Sequence, residues 1–515
     1  MIRNVTINNF KSLREVDHIA IKPITVLCGI NSCGKSSFIE SLLFLKQNIE
    51  KSDQEGILYN GELTRLGNYK NVVFRHDTDN LIFLEYEFTN LEEPVIQPIV
   101  DIVKRNGVEK DYTDSTIRLQ IGISFYDNND DLVLRDSFVY YYRFTFEGGR
   151  EKSYIELKEE NGSYKLSYSI QMPHQYETFD FPLSSGEERK QIRNKIKKTG
   201  IKLTNVDFNG FLPDASSILD CLQKNRFMDK VGGTKKELEN AGVYQFLEAA
   251  NVALRRVFKS IRYIGPLRES PSRRYIYENV IDGVGVNGSN AAYLLHIYGK
   301  TVLDNLYFYD CLSKQFINEE EHELSEAVEK WMDYLGIQSF STSMKDQVIQ
   351  VNLKDSNTRE TDVNIADVGF GISQVFPFVL EGIRMGRGAT LVLEQPEIHL
   401  HPKLQMEIGD FMLAMALSGR CFIVETHSDH LINRLVRRIV EDESGKLGEL
   451  VQIYFVTPSS EGAQFESIEI NDSQGIVNWP EGFFDQSANE QELIIRAGLQ
   501  KRKNKRKEIL ERKGK

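Results

Sequence analysis

The segment that most constrains this chain is residues 25–40, TVLCGINSCGKSSFIE. A β-branched, apolar run stops at Gly29, and the spacing G-x-x-x-x-G-K-S then ends in Gly34, Lys35 and Ser36. An apolar pattern with helical spacing follows. Strand, glycine loop and helix in this order predict a phosphate-binding loop, because backbone N–H groups and the positive end of a helix then face one anion.

The predicted ligand of this loop is a nucleoside triphosphate with Mg²⁺. Lys35 is expected to reach the β- and γ-phosphates, and the Ser36 hydroxyl is expected to bind Mg²⁺. A chance glycine loop before a helix is the alternative, but it leaves the preceding strand unexplained. The candidate nucleotide-binding residues are Gly29, Asn31, Ser32, Gly34, Lys35, Ser36 and Ser37.

Composition places the chain among soluble globular proteins. Its 515 residues allow about three domains. We find no apolar run of the ~18 residues that a transmembrane helix needs, and no signal peptide. Five scattered cysteines favour reduced thiols over disulfides or a zinc site. These features predict a cytoplasmic protein without a membrane partner.

The charge is unevenly distributed. The net charge is -12, but residues 501–515 hold nine Lys/Arg and two Glu, which leaves -19 on the rest of the chain. An acidic body argues against broad adhesion to nucleic acid. The basic tail is either a local contact for nucleic acid or a disordered, solubilising end.

The second half of the chain adds acids at the ends of apolar strands. The run LVLE ends in Glu394, which is expected to hold Mg²⁺ opposite Ser36 through water. Gln395 and Glu397 follow, and His427 lies at the end of the next apolar strand, where it can sense a γ-phosphate. Glu394, Gln395, Glu397 and His427 are therefore the candidate catalytic residues, and Ser36 and Glu394 the candidate metal residues.

Hydrophobic periodicity gives the expected elements. It predicts a strand pair in residues 1–28, an antiparallel sheet from about 90 to 172, helices over 234–260 and 290–335, a glycine-rich loop leading into a helix over 367–383, and a late hairpin of LVQIYFV and AQFESIEI. We divide the chain into an N-terminal lobe with the phosphate loop (1–90), an inserted β-sheet and helical region (91–260), an arginine-rich connection with helices (261–345), a C-terminal lobe (346–435), a small α+β segment (436–500) and the basic tail (501–515).

A series of motifs carries a resemblance to a known family. NNFKSL, GINSCGKSS, YIGPLRESP, DVGFGISQ, LVLEQPEIHLHP and ETHSDHLI occur in this order. Together they resemble the ABC-type ATPases of the SMC/RecF branch, particularly the bacterial anti-phage defence ATPases of the overcoming-lysogenization-defect type and the PtuA component of Septu and retron systems. The segment WPEGFFDQ resembles a domain of uncharacterised function appended to some members.

The resemblance implies an α/β fold: a P-loop NTPase with an ABC-type head, an inserted β-rich and helical region, and a small C-terminal α+β segment. It implies ATP and Mg²⁺ as cofactors and a head-to-tail homodimer or higher oligomer. Residues 369–374 resemble the signature loop, so either Gly371 or Ser373 is expected to meet the γ-phosphate held by the other subunit. His427 resembles the switch histidine.

One departure from the family concerns catalysis. Gln395 stands where the family usually has a catalytic glutamate, so hydrolysis is expected to be slow. Either Glu397 replaces the missing base, or Gln395 orients the attacking water as a glutamine does in GTPases.

Two further groups of side chains allow two interpretations each. His399 and His401 are expected to be structural or to lie at a dimer interface, with a metal pair as the alternative. Arg268, Arg273 and Arg274 either contact phosphate or nucleic acid, or form salt bridges with the acidic body.

Together, these features favour an ATPase that acts as a sensor or regulator of a separate effector protein. The expected effector is a nuclease in anti-phage defence. A DNA repair ATPase of RecF type is the alternative. A transporter motor fits less well, because 334 residues without an evident hydrophobic coupling segment separate Lys35 from Gly369. A self-contained nuclease lacks the expected Glu and D-x-D cluster after Val451, and no substrate-pocket signature indicates a kinase or metabolic enzyme.

Overall fold

The structure is a computed structural model of the chain. It describes residues 1–51, 56–103, 112, 114–125, 137–148, 151–170, 196–224, 233–276, 283–337, 340–345, 348–354, 362–367, 371–480, 482 and 486–513.

The strands of the first half are β1 (Ile2–Phe10), β2 (Leu13–Ala20), β3 (Ile24–Gly29), β4 (Ile82–Phe88), β5 (Thr116–Phe125), β6 (Ser137–Gly148), β7 (Glu151–Glu160), β8 (Ser163–Ile170), β9 (Ile196–Leu203), β10 (Phe208–Asn209) and β11 (Leu212–Pro213). Those of the second half are β12 (Ile261–Ile264), β13 (Tyr275–Ile276), β14 (Val302–Asp310), β15 (Gln315–Glu323), β16 (Ser341–Lys345), β17 (Val348–Lys354), β18 (Asp362–Asn364), β19 (Thr390–Glu394), β20 (Cys421–Glu425), β21 (Val451–Ser459), β22 (Gly462–Ile468), β23 (Ile470–Asn471) and β24 (Gly475–Ile476).

The α-helices are α1 (Lys35–Glu50), α2 (Tyr69–Val72), α3 (Glu93–Val103), α4 (Ala215–Lys224), α5 (Gly233–Lys259), α6 (Ala291–Tyr298), α7 (Leu324–Tyr334), α8 (Gly371–Arg384), α9 (Pro402–Leu417), α10 (Asp429–Glu441), α11 (Lys446–Leu450) and α12 (Gln486–Lys513). Among the described residues, no helix is both long enough and apolar enough to cross a membrane.

A six-stranded sheet forms the centre of the molecule, in the order β12-β19-β20-β3-β21-β22. The pairs from β12 to β21 are parallel, and β22 adds an antiparallel edge. Leu391 and Leu393 of β19 enter one apolar cluster and Val392 enters the other. Because both faces are buried, the strands are apolar without alternation, as the runs LVLE and CFIVE indicate.

An eight-stranded antiparallel sheet covers part of one face, in the order β2-β1-β4-β5-β6-β7-β8-β9. It shares an apolar cluster with α1, α3 and α5. The antiparallel sheet predicted between 90 and 172 is confirmed for β5 to β8, whose pairs are all antiparallel. The prediction is wrong for residues 93–103, which form helix α3. The parts of it that fall on 104–111, 113, 126–136, 149–150 and 171–172 lie outside the described residues.

The strand pair predicted for residues 1–28 is wrong in number. This segment makes three strands: β1 and β2 pair in the antiparallel sheet, whereas β3 joins the central sheet. The chain changes sheets at Lys22 and Pro23, where the Thr25 hydroxyl bonds the backbone N–H and carbonyl of Lys22. Proline lacks the N–H that a continuous strand would donate, so the apolar run is broken there.

The helix predicted over 290–335 is confirmed at its two ends by α6 and α7, but residues between them form the hairpin β14–β15. The segment LYFYD is rich in aromatic residues, which favour strands. At the turn, the Asp310 carboxylate accepts from the N–H groups of Leu312 and Ser313. Across the hairpin, the rings of Tyr309 and Phe316 pack edge to face at 5.2 Å. The acidic residues of this segment, Glu319, Glu320, Glu321 and Glu323, therefore lie along β15.

The C-terminal hairpin is confirmed by the antiparallel pair β21–β22. Its first strand also pairs in parallel with β3, so it extends the central sheet next to the predicted phosphate loop. The basic segment is helical as far as Lys513, within α12. The division of the chain into six segments stays a prediction.

Candidate nucleotide-binding site

The loop between β3 and α1 has the geometry of an anion cradle. Gly29 has φ 140° and Gly34, which precedes the first residue of α1, has φ 115°. A Cβ on Gly29 would lie 2.2 Å from the carbonyl oxygen of Val456, and one on Gly34 would lie 2.6 Å from Ala463 Cβ. Both positions therefore require glycine for backbone conformation and for space.

Lys35 lies inside this loop. Its side chain is 3% exposed, and its Nζ donates to the carbonyl oxygens of Gly29, at 3.1 Å, and Ile30, at 2.7 Å. Asn31 and Ser32 are exposed beside it. The ammonium is thus held within the loop, where it can exchange backbone carbonyls for phosphate oxygens.

The serines that follow Lys35 have different partners. Ser36 is exposed, and its hydroxyl lies 2.9 and 3.1 Å from the two carboxylate oxygens of Glu425. Ser37 accepts a hydrogen bond from Ser12 at 3.1 Å. The seven nucleotide-binding residues predicted from the sequence therefore lie together on this loop and the first turn of α1.

Glu425 is a site residue that the motif search missed. It is the last residue of β20, which lies between β3 and β19, and it pairs in register with Glu394. The structure thus puts Glu425, rather than the predicted Glu394, in contact with Ser36. The signal was present in the sequence: CFIVE, like LVLE, is an apolar strand that ends in a carboxylate.

Glu394 has a different contact. Its Oε1 accepts a hydrogen bond of 2.8 Å from the hydroxyl of Tyr263, at the neighbouring edge strand β12. Burial raises the pKa of Glu394 to about 7, and the charges of Glu425 and Glu40 act in the same direction while the Tyr263 hydrogen bond opposes them. The pKa of Glu425 is also raised, chiefly by burial. The site therefore concentrates negative charge that a cation would stabilise.

Oxygen atoms of Ser36, Glu394 and Glu425 suit Mg²⁺, which prefers hard oxygen ligands and keeps several waters. Among the described residues no group of three His, Cys, Asp or Glu side chains is arranged to hold a metal alone. These residues therefore fit an ion whose remaining ligands come from phosphate oxygens and water.

Glu397 organises the segment that carries His427. Its Oε2 accepts from the Thr426 hydroxyl at 2.8 Å, and its Oε1 accepts from the backbone N–H of His427 at 2.7 Å. Burial raises the pKa of Glu397. Burial, and next the charge of Lys35, lower the pKa of the half-buried His427 imidazole. A neutral imidazole thus lies near the lysine of the phosphate loop.

Gln395 directly follows β19 in an unusual backbone conformation. Its φ is 45°, and its N–H donates to the carbonyl oxygen of Glu425 at 2.7 Å. A non-glycine residue in this region of φ is uncommon and is often found where a chain positions a functional group. The Gln395 side chain is half-buried at the same end of β19 as Glu394.

The expected signature region begins α8. Gly371 is half-buried at the first position of that helix, and residues 368–370 lie outside the described part. Ser373 is only 6% exposed, so Gly371 is the more accessible of the two candidates.

The three arginines do not act as one patch. Arg268 is 6% exposed, and its Nη2 donates to the backbone oxygen of Glu394 at 2.9 Å. It therefore cannot present a surface to nucleic acid, which corrects that interpretation. Arg273 pairs with Asp367, as the salt-bridge alternative predicts, and Arg274 is exposed.

One histidine of the His399/His401 pair makes a structural contact. His401 precedes α9, and its Nδ1 accepts from the backbone N–H of Lys403 at 3.3 Å. His399 has φ 62° in the turn before it. This arrangement supports the structural interpretation of His401.

Comparison with known families gives two matches. The AAA ATPase domain model matches residues 1–226 and 309–432. A model described as a protein of unknown function (DUF3696) matches residues 449–493, which confirms the resemblance of the C-terminal segment to an uncharacterised domain. A search of curated protein sequences gives no match.

Solved structures with similarity to the chain include SMC head domains. One is an SmcHead bound to the C-winged helix domain of ScpA, with 11% identity over 92% of this chain and 98% of that chain and a TM-score of 0.40. The SMC head domain from Thermotoga maritima has 10% identity over 91% and 99%, with a TM-score of 0.35. The Smc head domain from Pyrococcus furiosus, bound to the C-terminal domain of ScpA, has 12% identity over 91% and 96%, with a TM-score of 0.38.

The raised pKa of Glu394 generates a prediction about stability. A carboxyl group that binds its proton more tightly in the folded state stabilises the protein at low pH, and this contribution is lost as the pH rises through the folded pKa of about 7. Glu394→Gln keeps an acceptor for Tyr263 without the charge. We expect the nucleotide-free variant to exceed wild type in free energy of unfolding by ~1–3 kcal/mol at pH 8, and by little at pH 5.

Denaturant unfolding in EDTA at the two pH values measures this difference. Glu443→Gln, at an exposed position, is the control and is expected to change neither value. A Glu394→Gln protein no more stable than wild type at pH 8 would contradict the electrostatic description of the site.

Proposed function

Because this chain belongs to the AAA ATPase domain family, we propose that it binds ATP with Mg²⁺ at the β3–α1 loop and hydrolyses it. One observation carries the proposal: Lys35 lies inside a glycine cradle while the adjacent Ser36 hydroxyl contacts a carboxylate at a neighbouring strand end. The loop N–H groups, the Lys35 ammonium and oxygen atoms suited to a metal thereby lie close together, which supports a site for a metal-bound phosphate.

In this proposal, different residues bind the phosphates and the metal. The N–H groups of the loop and the ammonium of Lys35 receive the phosphate oxygens. Ser36, Glu394 and Glu425 would hold Mg²⁺, which neutralises charge on the phosphates when it is bound. Because Ser36 is exposed and already aligned with Glu425, the site needs little rearrangement to accept a ligand.

Gln395 is our candidate for orienting the attacking water. Its backbone is fixed between the two acids by the bond to the Glu425 carbonyl, and its amide can both donate to and accept from water. Glu397 is less available as a base, since both of its carboxylate oxygens already accept hydrogen bonds from Thr426 and His427. We therefore give Glu397 a positioning role for His427, whose neutral imidazole can donate to a γ-phosphate oxygen.

We further propose that two chains assemble head to tail, with the start of α8 completing the nucleotide site of the partner. The positive end of this helix and the accessible backbone at Gly371 suit a phosphate. Lys35 then acts on the nucleotide of its own chain, and Gly371 on that of the other.

The biological role that we propose is regulation of a separate effector, a nuclease in anti-phage defence. Its support is the motif series, which resembles that class of ATPase from NNFKSL to ETHSDHLI. The C-terminal segment that matches a family of unknown function lies beside the phosphate loop through β21, so it is the element we assign to effector contact.

The first prediction concerns Lys35. Lys35→Ala removes the ammonium and leaves phosphate charge unmatched, so ATP affinity should fall by at least about 100-fold. Titration with a fluorescent ATP analogue measures it. Lys51→Ala, just beyond the other end of α1, is the control and should bind as wild type. Unchanged affinity in Lys35→Ala would rule out this loop as the nucleotide site.

The second prediction concerns the water. Gln395→Glu supplies a base at the position that orients water, and we expect its kcat to rise by roughly 10²-fold, whereas Gln395→Ala should lower it. Steady-state phosphate release is the measurement. If Gln395→Glu has no effect and Glu397→Gln abolishes turnover with ATP still bound, Glu397 is the base and our assignment is wrong.

The third prediction concerns the composite site. Lys35→Ala and Gly371→Asp chains should each be inactive, but a mixture forms heterodimers in which one site has both defects and the other has neither. We expect roughly a quarter of wild-type ATPase activity, because random pairing makes about half of the dimers mixed.

A Gly→Asp change at Gly498, an open position in α12, is the control for the added charge and should remain active on its own. If mixed chains associate, as light scattering would show, and no activity returns, the head-to-tail assembly is wrong.

A further inference from the structure

We propose that Tyr263 and Arg268 are positioning residues that hold Glu394 in place for the metal and connect it to helix α8. This inference rests on the proposed ATPase function. Both residues lie on β12 and the loop after it, in the motif YIGPLRESP, which the predicted site does not otherwise use.

Tyr263 fixes the side chain of Glu394. β12 pairs in parallel with β19, which places Tyr263 next to Val392, two residues before the acid. From there its hydroxyl donates to Glu394 Oε1 at 2.8 Å. One carboxylate oxygen is thus occupied, and the other is left for the site.

Arg268 fixes the backbone of the same residue. Its Nη2 donates to the carbonyl oxygen of Glu394 at 2.9 Å. Together with the bond from the Gln395 N–H to Glu425, this contact holds both sides of the peptide that joins Glu394 to Gln395. The direction in which β19 ends, and hence the positions of both side chains, depends on Arg268.

The remaining surface of the guanidinium is directed at other parts of the site. Arg268 lies over the ring of Phe378 in α8, 5.6 Å from its centroid. Its Nε and Nη1 are buried and, within the part of the chain that the structure describes, have no hydrogen-bond partner. Burial lowers the pKa of the Arg268 guanidinium to about 10, and the nearby charges of Glu397 and Glu394 oppose this shift. Burying a cation with unpaired donors costs free energy. Such a cost is consistent with a residue whose position serves the site.

These contacts make Arg268 a bridge between the end of β19 and helix α8. Helix α8 begins at Gly371, where we place the contact with a partner's nucleotide, and Phe378 lies two turns further along the same helix. A displacement of α8 on nucleotide binding would shift the ring under Arg268 and, through its bond, the end of β19.

Tyr263→Phe tests the inference, since it removes only the hydroxyl. A partner that orients a metal ligand usually contributes 10–100-fold in metal affinity, so we expect the Kd for Mn²⁺ in the presence of a non-hydrolysable ATP analogue to rise by about 10-fold or more. Paramagnetic resonance of free Mn²⁺ measures it without turnover. Nucleotide affinity in EDTA should stay at the wild-type value.

Tyr334→Phe is the matched control. Tyr334 also donates to a carboxylate, that of Asp410 at 2.6 Å, but in a different part of the fold. It should leave the Mn²⁺ affinity unchanged. If Tyr334→Phe weakens Mn²⁺ binding as much as Tyr263→Phe does, the effect is general loosening and the inference is overturned.

Arg268→Lys tests the backbone contact while keeping a positive charge. Lysine lacks the planar fork that can bond Glu394 and cover Phe378 together. We expect kcat to fall about 10-fold with the KM for ATP within twofold of wild type, and Arg268→Met to lose more. Wild-type kcat and Mn²⁺ affinity in both Tyr263→Phe and Arg268→Lys, with Lys35→Ala unable to bind ATP, would overturn this inference and leave the proposed function intact. Normal ATP binding by Lys35→Ala would instead overturn the function on which it rests.

Discussion

The register of three parallel strands, β19, β20 and β3, is the constraint on which the site depends. Glu394 pairs with Glu425, and Glu425 pairs with Leu27, two residues before Gly29. Both carboxylates therefore lie at the carboxyl ends of the parallel strands, where the glycine loop begins. A shift of one residue in either pairing would turn the side chains to the opposite face, into an apolar cluster. Burial of both sheet faces makes such a shift costly and so fixes the site.

The same arrangement costs the protein free energy of folding when no ligand is bound. Glu394 and Glu425 lie beside each other; burial raises the pKa of both carboxyl groups, and the charge of Glu425 further raises the pKa of Glu394. Hydrogen bonds from Tyr263 and Ser36 offset only part of this cost. Groups held in an unfavourable environment at the edge of a sheet are typical of a site that a ligand completes. Phosphate, metal and Lys35 would together balance the charge.

Helix α5 leads directly into the strand that carries Tyr263. Helix α5 ends at Lys259, and β12 begins two residues later at Ile261. Phe258, at the end of α5, packs edge to face on Phe88 of the antiparallel sheet at 5.5 Å. The strand that carries Tyr263 is therefore attached directly to α5, which packs on the antiparallel sheet.

The sequence by itself determined the local chemistry of this protein. The glycine loop, Lys35 and the apolar strands that end in acids follow from short patterns, because backbone conformation and burial on two faces leave clear marks over a few residues. Which acid contacts Ser36 follows from the tertiary structure, because the order of strands in a sheet depends on residues that are far apart in the chain. β20 lies between β3 and β19, and this order places Glu425 next to Ser36. The tertiary structure also decided that Arg268 and Ser373 are buried, and that residues 302–323 form a hairpin, because the exposure of a side chain depends on elements far away in the chain.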